Sequence, residues 1–571
     1  MTAWAMDLGT SNTGLSRWDP DADRPRLVEL PDICRRPGRT DPLEAPRLIP
    51  SATHVLPPST LWDRLGRSGL FQRMTFWGKQ AHVGRAALEL NQGWHHPAFA
   101  PHFKGALGRD PLRTLARSRS TLHSARDIAR MFMREVFSSA KDATGDRIRD
   151  LVITTPVESY DVYRAELKAV ARSLGVKRLR FIDEPVAAAI GYGLGLTHAR
   201  RVLVVDFGGG TLDLAVVQLT ARDVAQGHCE VIAKEGRPLG GNTIDGWLLE
   251  HFNAGLGIEL IPSGDQVAKL EAELWSRLMI QEARRVKEAV YFPPHEATFS
   301  VVPPEEMPGV KARLGGARYL DITRDELVQV LTERGMYQIL EDCQNGIARQ
   351  LEAQGMAEDA IEDVLMVGGS SLLPGVFGSF EQRYGRDKVR AWQPFEAVAF
   401  GACAFAADRF GQSDFIVHDY AFVTYHPRTH EEQHTVIVPR GTRFPTAPDL
   451  WKRKLVPTCA LGEPEKIFKL VICEIAGLPV AGVQDDRQFT WDAEGNLRQL
   501  GGGAAAQPVV VPLNVANPTL GHLDPPHPPA DKVPRLEISF GVDQQRWLVA
   551  TVRDLKTRKV LMDAEAVVRL L

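Results

Sequence analysis

The chain has 571 residues, which is longer than a single hydrophobic core normally grows, so several folding units are expected. Hydrophobic residues make up 44% of the sequence and charged residues 24%, values that are typical of a soluble globular protein and exclude wholesale disorder. The formal net charge of -3 gives no overall field that would attract nucleic acid or an anionic membrane, so neither is expected as a partner.

The N-terminus and the cysteines both favour a cytoplasmic protein. Residues 1–7 contain no basic region, apolar run or small-residue cleavage site of the kind that an export signal needs. No stretch approaches the roughly 20 apolar residues that span a bilayer. The six cysteines are scattered without a CxxC pair, which argues against a zinc knuckle and against a disulfide framework.

Two sequence textures follow one another along the chain. Residues 1–410 alternate apolar strand-like runs with amphipathic helical stretches, such as 151–155 followed by 161–174, which predicts an α/β domain. From residue 420 onward, short apolar runs are separated by Gly and Pro, which is typical of a β-sandwich or barrel-like domain. The predicted strands of this second domain include residues 434–438, 468–474, 536–542 and 547–552.

The junction between the two textures is short. Residues 411–419 are predicted to be an interdomain linker, in which Asp414 and Asp419 bracket an apolar triplet. The same triplet also suits the first strand of the second domain, so both interpretations stay open. Further along, residues 499–530 are rich first in Gly and then in Pro, and we predict a flexible loop or insertion there.

One short pattern occurs twice. Residues 5–10 (AMDLGT) recur in outline as residues 204–211 (VVDFGGGT). In each copy an apolar strand ends in an acid, and a Gly-rich turn that carries a hydroxyl leads into a second apolar strand. The repeat indicates two related halves that face each other across a cleft.

The two turns contain the residue types that bind phosphate and magnesium. Glycines let the backbone approach a ligand, adopt positive φ and point N–H groups at phosphate oxygens. The turn residues are Gly9, Thr10, Ser11 and Asn12 in the first copy and Gly208, Gly209, Gly210 and Thr211 in the second. Asp7 and Asp206 stand at strand ends, where a carboxylate can hold the waters of a magnesium ion. Either turn alone also suits an ordinary hairpin, whereas the pair favours a metal–nucleotide clamp.

Other kinds of site are not indicated. No GxxxxGK[ST] motif follows a strand, so the phosphate site is not a Walker P-loop. No cysteine, serine or histidine constellation suggests nucleophilic catalysis. His426, His430 and His434 have a metal-like spacing for a helix, but Pro427 and the turn-like surroundings favour a solvated hairpin.

Four motifs, taken in order, resemble the seventy-kilodalton heat-shock chaperones of the DnaK type. They are residues 7–12 (DLGTSN), residues 181–193 (FIDEPVAAAIGYG), the turn that begins at Asp206, and residues 367–371 (VGGSS). The resemblance implies an α/β fold with a two-lobed actin-like (ribonuclease H-like) ATPase domain over residues 1–410. A β-sandwich-like substrate-binding domain over residues 420–571 would follow it. ATP or ADP with Mg would be the cofactors, and ATP hydrolysis would be the reaction.

By position in these motifs, the resemblance implies roles for individual residues. Lys104, in the stretch 102–109, resembles the family lysine beside the γ-phosphate and the attacking water, although a plain surface lysine is the alternative. Glu184 and Asp206 resemble the acids that order the magnesium waters and the nucleophile. Thr10 and Thr211 resemble the hydroxyls that contact the γ-phosphate. The implied catalytic set is Lys104, Glu184, Asp206, Thr211, Asp7 and Thr10, and the implied metal set is Asp7, Asp206 and Glu184. The implied nucleotide-binding set is Gly9, Thr10, Ser11, Asn12, Gly208, Gly209, Gly210, Thr211, Lys287, Gly368, Gly369 and Ser370.

The sequence departs from the family pattern around the adenosine. Leu372 and Phe395 stand where the family usually has an arginine and an aspartate, which leaves the base preference open. Lys287 fits the family lysine that flanks the adenosine, but Arg284 stands where a glutamate is expected.

Two further positions align with residues that the family uses for coupling between its domains. Pro156 aligns with a switch proline and Arg164 with a coupling arginine. Prolines also end strands and arginines also cover helix faces, so these ordinary explanations stay open beside the functional one.

The second domain resembles the family's peptide-binding β-domain through residues 436–446, 536–542 and 547–554. Such a domain holds an extended apolar peptide by main-chain hydrogen bonds and a hydrophobic pocket. The sequence ends at Leu571, before the helical lid of the family, so fast peptide exchange is expected. The expected partners are unfolded polypeptide or a dedicated protein client, with a J-domain co-chaperone and a nucleotide-exchange factor.

Two rival functions stay open from the sequence alone. A nucleotide-dependent regulatory or scaffolding protein would use the β-domain to bind one dedicated partner. A small-molecule kinase or a filament protein of the same superfamily would share the glycine turns, although the β-strands after Tyr420 argue against it.

Overall fold

Contacts within the computed structural model divide the chain into two compact units. Unit 1 comprises Met1–Phe380 with Gln393–Phe410, and unit 2 comprises Glu381–Trp392 with Gly411–Leu571. The functional domain boundaries at residues 410 and 420 stay a prediction. The residues that the structure describes are 3–38, 45–57, 79–91, 96–101, 103–119, 121–156, 161–194, 198–257, 266–290, 295–303, 308–391, 394–409, 416, 418–426, 429, 431–459, 463–476, 489–492, 497–499, 509–544 and 546–570.

Unit 1 alternates strands and helices, as the first sequence texture predicts. Its strands are β1 (Trp4–Leu8), β2 (Asn12–Asp19), β3 (Arg24–Leu27), β4 (Ile49–Pro50), β5 (Ala52–Val55), β6 (Ala81–Val83), β7 (Phe99–Pro101), β8 (Thr114–Ser118), β9 (Thr121–Ser124), β10 (Asp150–Thr155), β11 (Arg178–Asp183), β12 (Arg200–Phe207), β13 (Leu212–Leu219), β14 (Glu230–Arg237), β15 (Glu296–Val301), β16 (Arg318–Thr323) and β17 (Asp363–Val367).

The helices lie between these strands, and after the last of them, along the chain. They are α1 (Arg85–Glu89), α2 (Lys104–Arg109), α3 (Ala125–Thr144), α4 (Asp161–Ser173), α5 (Glu184–Gly191), α6 (Ala221–Gln226), α7 (Gly241–Leu256), α8 (Gln266–Ala289), α9 (Pro308–Leu314), α10 (Arg324–Glu333), α11 (Met336–Ala353), α12 (Val376–Tyr384) and α13 (Ala397–Ala406). Among the described residues, no helix combines the length and the apolar character that crossing a membrane requires.

Two sheets of unit 1 share one topology. The first has the strand order β11–β10–β1–β2–β3, and the second contains the order β17–β12–β13–β14. In both, an antiparallel hairpin (β1 with β2, β12 with β13) carries a parallel strand, β10 or β17, beside its first member. The repeated sequence pattern is therefore the turn of each hairpin.

Strand β10 shows why strands in these sheets have continuous apolar sequences. It pairs in parallel with β1 on one edge and with β11 on the other. Leu151, Val152 and Ile153 are all fully buried, as expected where helices cover both faces of a parallel sheet. The predicted strand at 151–155 and the predicted helix at 161–174 thus correspond to β10 and α4.

Helix α5 is held by backbone contact with α13. A methyl group at Gly191 would overlap the carbonyl oxygen of Ala397, and one at Gly401 would overlap that of Ala187. Only glycine lets two helix backbones meet this closely. Because Glu184 is the first residue of α5, this crossing fixes the place from which its carboxylate projects.

Unit 2 is built from strands. They are β18 (Val389–Arg390), β19 (Asp419–Tyr425), β20 (Glu432–Val438), β21 (Trp451–Leu455), β22 (Glu465–Leu470), β23 (Ile472–Ala476), β24 (Phe489–Trp491), β25 (Leu497–Gln499), β26 (Val509–Pro512), β27 (Thr519–His527), β28 (Leu536–Val542), β29 (Trp547–Asp554) and β30 (Val560–Arg569). One sheet has the order β20–β19–β23–β26 and another the order β21–β28–β29–β30. Phe422 of the first and Phe540 of the second pack with ring centroids 5.5 Å apart, which joins the two sheets in one core.

The strand predictions for this region are confirmed in part. Residues 536–542 coincide with β28, and residues 547–552 lie within β29. The single strand predicted at 468–474 is instead divided between β22 and β23. The side chain of Asn514 accepts a hydrogen bond from Ile472 N and donates one to Leu470 O, both at 2.9 Å, so it occupies the point where the chain changes sheets.

The loop predicted at 499–530 is wrong where β26 and β27 lie. Strand β27 pairs with β22 and buries Leu523, so its prolines do not mark a loop. The hairpin predicted around His426 and His434 is confirmed by the antiparallel pairing of β19 with β20, while His430 lies outside the described residues.

Candidate nucleotide site

The two glycine-rich turns lie against each other. A methyl group at Gly209 would lie 2.5 Å from the hydroxyl oxygen of Ser11, so the turn after β12 touches the turn after β1. The Ser11 hydroxyl is buried and has no hydrogen-bond partner in the part of the chain that the structure describes. A buried hydroxyl of this kind is suited to a ligand oxygen, because an unsatisfied polar group inside a protein is costly.

Gly9 and Gly208–Gly210 do not adopt the positive φ that glycine allows. The glycines with positive φ in the described chain do not include these four. The turns need glycine for a steric reason instead: a methyl group at Gly9 would overlap the carbonyl oxygen of Asn12, and one at Gly209 would crowd Ser11.

Helix α7 and Ser370 fix the second turn. The backbone N–H of Gly241 donates to Gly208 O at 3.1 Å, and that of Asn242 donates to Gly209 O at 2.8 Å. The Ser370 hydroxyl donates to the same Gly208 O at 2.8 Å. These bonds use the carbonyl groups of the turn and so set the orientation of its backbone.

The remaining turn residues stand at the surface. Thr10, Gly210 and Thr211 are exposed, and Asn12 is partly exposed at the start of β2. Thr10 and Thr211 are therefore reached by solvent at the tips of the two turns.

Residues 368–370 complete this side of the site. Gly368 has a φ of 84°, and a methyl group there would lie 2.9 Å from Asp206 Oδ1. A methyl group at Gly369 would lie 2.6 Å from the ring of Phe395. Leu372 is buried, and its side chain is apolar. The two departures from the family pattern thus place apolar side chains beside this loop.

Lys104 and Glu184 form an ion pair. Lys104 Nζ donates to Glu184 Oε1 at 2.8 Å, and the side chains are only 12% and 23% exposed. Lys104 begins α2, and its neighbour Phe103 is anchored in the hydrophobic core. Burial alone would lower the pKa of Lys104, but the Glu184 carboxylate raises it, and the rise prevails. The ammonium group is therefore permanently charged.

Two further carboxylates face this pair. Asp7 accepts a hydrogen bond from Thr154 Oγ1 at 2.7 Å. Burial, together with repulsion from Glu184, raises the pKa of Asp7 to about 6. Burial also raises the pKa of Asp206 to about 8, with repulsion from Glu184 and from Asp213 adding to the effect. Asp7 and Asp206 both keep a partly exposed surface, so they line the site and are not sealed in the core.

The charge balance of the site fits a magnesium ion. Several carboxylates act on one another here, and the ammonium group of Lys104 is the cation that offsets them. A divalent cation would relieve this repulsion, and carboxylate oxygens are the ligands that magnesium prefers. Within the described ranges, no three acidic, histidine or cysteine side chains converge into a metal cage.

Lys287 and Arg284 share one buried partner. Asp245 is fully buried, and its carboxylate lies 2.6 Å from Lys287 Nζ and 2.8 Å from Arg284 Nε. Lys287 Nζ also donates to Gly241 O at 3.1 Å, and Arg284 Nη2 donates to Asn242 Oδ1 at 2.8 Å. The two basic residues are thereby joined to the start of α7, which contacts the second turn.

Arg164 is tied to the strand ends beside the site. Its guanidinium donates to Asp183 Oδ1 at 2.7 Å and to Thr155 Oγ1 at 3.3 Å. Asp183 precedes Glu184 directly, and Pro156 follows Thr155. These contacts join α4 to the ends of β10 and β11, and the coupling roles of Arg164 and Pro156 stay predictions.

Some supporting residues were missed in the sequence. Thr154 carries a hydroxyl group near the end of the apolar strand β10, and Asp245 is an acidic residue inside helix α7. A polar residue at an otherwise buried position is the signal that marks both. Their partners are distant in sequence, so the pattern alone could not name them.

These observations define a class of protein, an α/β unit of the actin-like ATPase fold with a β-sandwich region. The model of the family described as Hsp70 protein matches residues 110–456, more than half of the chain. The chain therefore belongs to the Hsp70 family. The first turn and Lys104 precede the matched range, so their placement rests on the geometry described above.

A curated relative supports the same family over a longer span. The chain is 24% identical over 495 residues to a chaperone protein dnaK of Cyanidioschyzon merolae (strain NIES-3377 / 10D). The alignment covers 85% of this chain and 70% of the relative.

Proposed function

We propose that this protein is an ATP-hydrolysing molecular chaperone that couples its nucleotide state to the binding of unfolded or exposed polypeptide. One observation supports the hydrolytic part above all: the Lys104–Glu184 ion pair lies among carboxylates of raised pKa beside two facing glycine turns. Perturbed ionisable groups that gather in this way are typical of a catalytic site.

The proposed reaction is the attack of water on ATP. The water oxygen forms a bond with the γ-phosphorus, and the bond from that phosphorus to the bridging oxygen breaks with its electron pair left on ADP. One proton of the water is released, so the products are ADP, phosphate and a proton. Positioning and charge neutralisation supply most of the acceleration in reactions of this kind.

The side chains divide this work. The charged Lys104 ammonium would neutralise phosphate oxygens as negative charge moves onto the leaving group. Asp206 lies among the same charges and would help to orient the attacking water. Magnesium, when bound, would neutralise the phosphates, and Asp7, Asp206 and Glu184 would hold its waters.

Unit 2 would supply the polypeptide-binding surface. The similar protein from Cyanidioschyzon merolae is named a chaperone. In unit 2, the exposed apolar side chains Ile467 and Leu520 lie on one face of the β22–β27 sheet. Exposed strands with apolar side chains suit an extended peptide. A J-domain co-chaperone and a nucleotide-exchange factor belong to this proposal as expected partners.

The first test is steady-state ATP hydrolysis with magnesium, with and without an unfolded polypeptide. Wild type is compared with Asp206→Asn and Lys104→Ala. We expect slow turnover that the polypeptide stimulates and that either substitution reduces by about 100-fold or more, since each removes a charge from the reacting centre. Lys141→Ala and Asp142→Asn, at exposed positions on α3, are the matched controls and should leave turnover unchanged.

The outcomes separate the parts of the proposal. Tight ATP binding without turnover would contradict hydrolysis and leave a nucleotide-gated binding protein. Turnover that no polypeptide stimulates would contradict the coupling. Binding of a single protein from a broad peptide screen would favour a dedicated client over general chaperone action.

A further inference from the structure

Tyr163 lies beside the proposed catalytic centre but has no role in the function proposed above. It is the third residue of α4, and its side chain is only 3% exposed. Its ring packs in the hydrophobic core that also contains Phe103 and Ile153. Helix α4 packs against α2, the helix that begins at Lys104, so Tyr163 lies on an element that adjoins the Lys104–Glu184 pair.

The hydroxyl of Tyr163 lacks a hydrogen-bond partner. It is buried, and no group among the described residues bonds to it. Burial raises the pKa of Tyr163 to about 12, and the charges of Lys104, Glu184 and Asp7 all act on the same hydroxyl. The unpartnered oxygen is therefore buried within electrostatic range of the Lys104–Glu184 pair and of Asp7. As a neutral phenol it offers one donor and two acceptor sites.

Lys104 has donors available for a further partner. An ammonium group carries three N–H donors, and the bond to Glu184 uses one of them. The Lys104 ammonium and the Tyr163 hydroxyl influence each other electrostatically, yet no direct hydrogen bond joins them among the described contacts. A water molecule between them would satisfy both groups, as buried waters commonly do where two to four polar atoms converge.

We propose that the Tyr163 hydroxyl hydrogen-bonds to the water that attacks the γ-phosphate and positions it together with the Lys104–Glu184 ion pair. This inference rests on the proposed function and deepens it by naming a further contact of the nucleophile. A phenol that stays neutral near pH 7 cannot take the proton of the water. Tyr163 therefore orients the water, and it does not act as the general base.

The test is the substitution Tyr163→Phe, which removes one oxygen atom and keeps the ring in the core. We expect kcat for ATP hydrolysis to fall about tenfold, the effect of losing roughly one hydrogen bond in the transition state. The dissociation constant for ATP should stay within about twofold, because the water and not the nucleotide loses its partner. A role in packing alone would instead lower the melting temperature and leave kcat unchanged.

A matched control removes a tyrosine hydroxyl elsewhere in unit 1. Tyr337, on α11, donates to Pro374 O at 3.0 Å. Tyr337→Phe should leave both kcat and the ATP dissociation constant unchanged. A second readout does not depend on activity. A crystal structure of the nucleotide-free protein should show an ordered water bonded to both Tyr163 Oη and Lys104 Nζ, and Tyr163→Phe should lose it.

Each outcome bears on one claim. If wild type hydrolyses ATP and Tyr163→Phe does so at an equal rate, the inference on Tyr163 is overturned and the proposed function stands. If Tyr163→Phe weakens ATP binding without changing kcat, the residue contacts nucleotide and the inference is likewise overturned. If wild type binds ATP without hydrolysing it, both the inference and the hydrolytic function are overturned.

Discussion

Replacing Asp206 by Asn should stabilise the metal-free, nucleotide-free protein, and the gain should grow with pH. The pKa of Asp206 is raised from 3.8 to about 8, mainly because the carboxylate is buried. The folded protein therefore holds a proton that the unfolded chain has already released. The contribution of this group to stability is full below pH 3.8 and is lost as the pH rises through about 8. Asparagine does not ionise, so the Asp206→Asn variant does not lose this stability as the pH rises.

The size of the effect follows from the shift. Each pKa unit corresponds to about 1.4 kcal/mol, so a rise of about 4 units sets an upper limit of about 6 kcal/mol. Between about pH 5 and about pH 8 the limit is about 4 kcal/mol. Two features make the actual stability difference smaller than this limit. The Asp206 side chain is partly exposed, and part of the pKa shift comes from repulsion by Glu184 and Asp7 and not from burial. We expect the advantage of Asp206→Asn to grow by about 1 to 2 kcal/mol over this interval.

Urea unfolding in EDTA, repeated across this pH range, measures the difference. The fluorescence of buried tryptophans of unit 1, such as Trp4 and Trp275, reports the transition. Asp142→Asn, at an exposed position, is the matched control and should behave as wild type at every pH. A stability difference that does not change with pH would refute the reasoning. Added magnesium and ADP should reduce the advantage, because a bound cation offsets the buried charge.

Three further substitutions test other parts of the structure. Lys104→Met removes the cation of the Glu184 ion pair and should lower the free energy of unfolding by about 1 to 3 kcal/mol, measured in urea. Gly401→Val places side-chain atoms where α5 passes and should lower the free energy of unfolding by more than about 3 kcal/mol or prevent folding, measured by thermal unfolding. Arg535→Leu leaves Asp554 buried without its ion-pair partner and should cost about 3 kcal/mol. Burial alone would raise the pKa of Asp554, but its hydrogen bonds hold that pKa at about 2. The ionised Asp554 therefore contributes its full stabilisation above pH 3.8, and an acid titration should show this contribution being lost as the pH falls through 2.

Matched changes keep these tests specific. Lys141→Met alters an exposed lysine on α3 and should be neutral. Gly246→Ala places a methyl group in open space on α7 and should be neutral or slightly stabilising. If Gly401→Val proved as mild as Gly246→Ala, the close crossing of α5 and α13 would be contradicted.

The parts of the fold that the sequence predicts are local ones. A strand that ends in an acid and a glycine turn needs only about ten consecutive residues, so both hairpins could be found from the pattern alone. The reason for glycine could not, since Gly209 is fixed by Ser11 of the other turn. The change of sheet between β22 and β23 was missed for a similar reason: it depends on Asn514, more than forty residues away.

In the candidate site, too, only the residues of the local sequence pattern could be predicted. Asp7 and Asp206 stand in the repeated pattern, but Tyr163 and Asp245 are polar groups inside helices whose partners come from other elements. Sequence periodicity shows that such positions are buried, whereas only the folded chain shows which groups they meet.

The crossing of α5 and α13 has a mechanical consequence. Interlocked side chains can absorb a small displacement by changing rotamer, but at Gly191 and Gly401 backbone meets backbone, with no side chain between. The two helices therefore behave as a stiff joint. A displacement of the α5 backbone would therefore displace α13 as well.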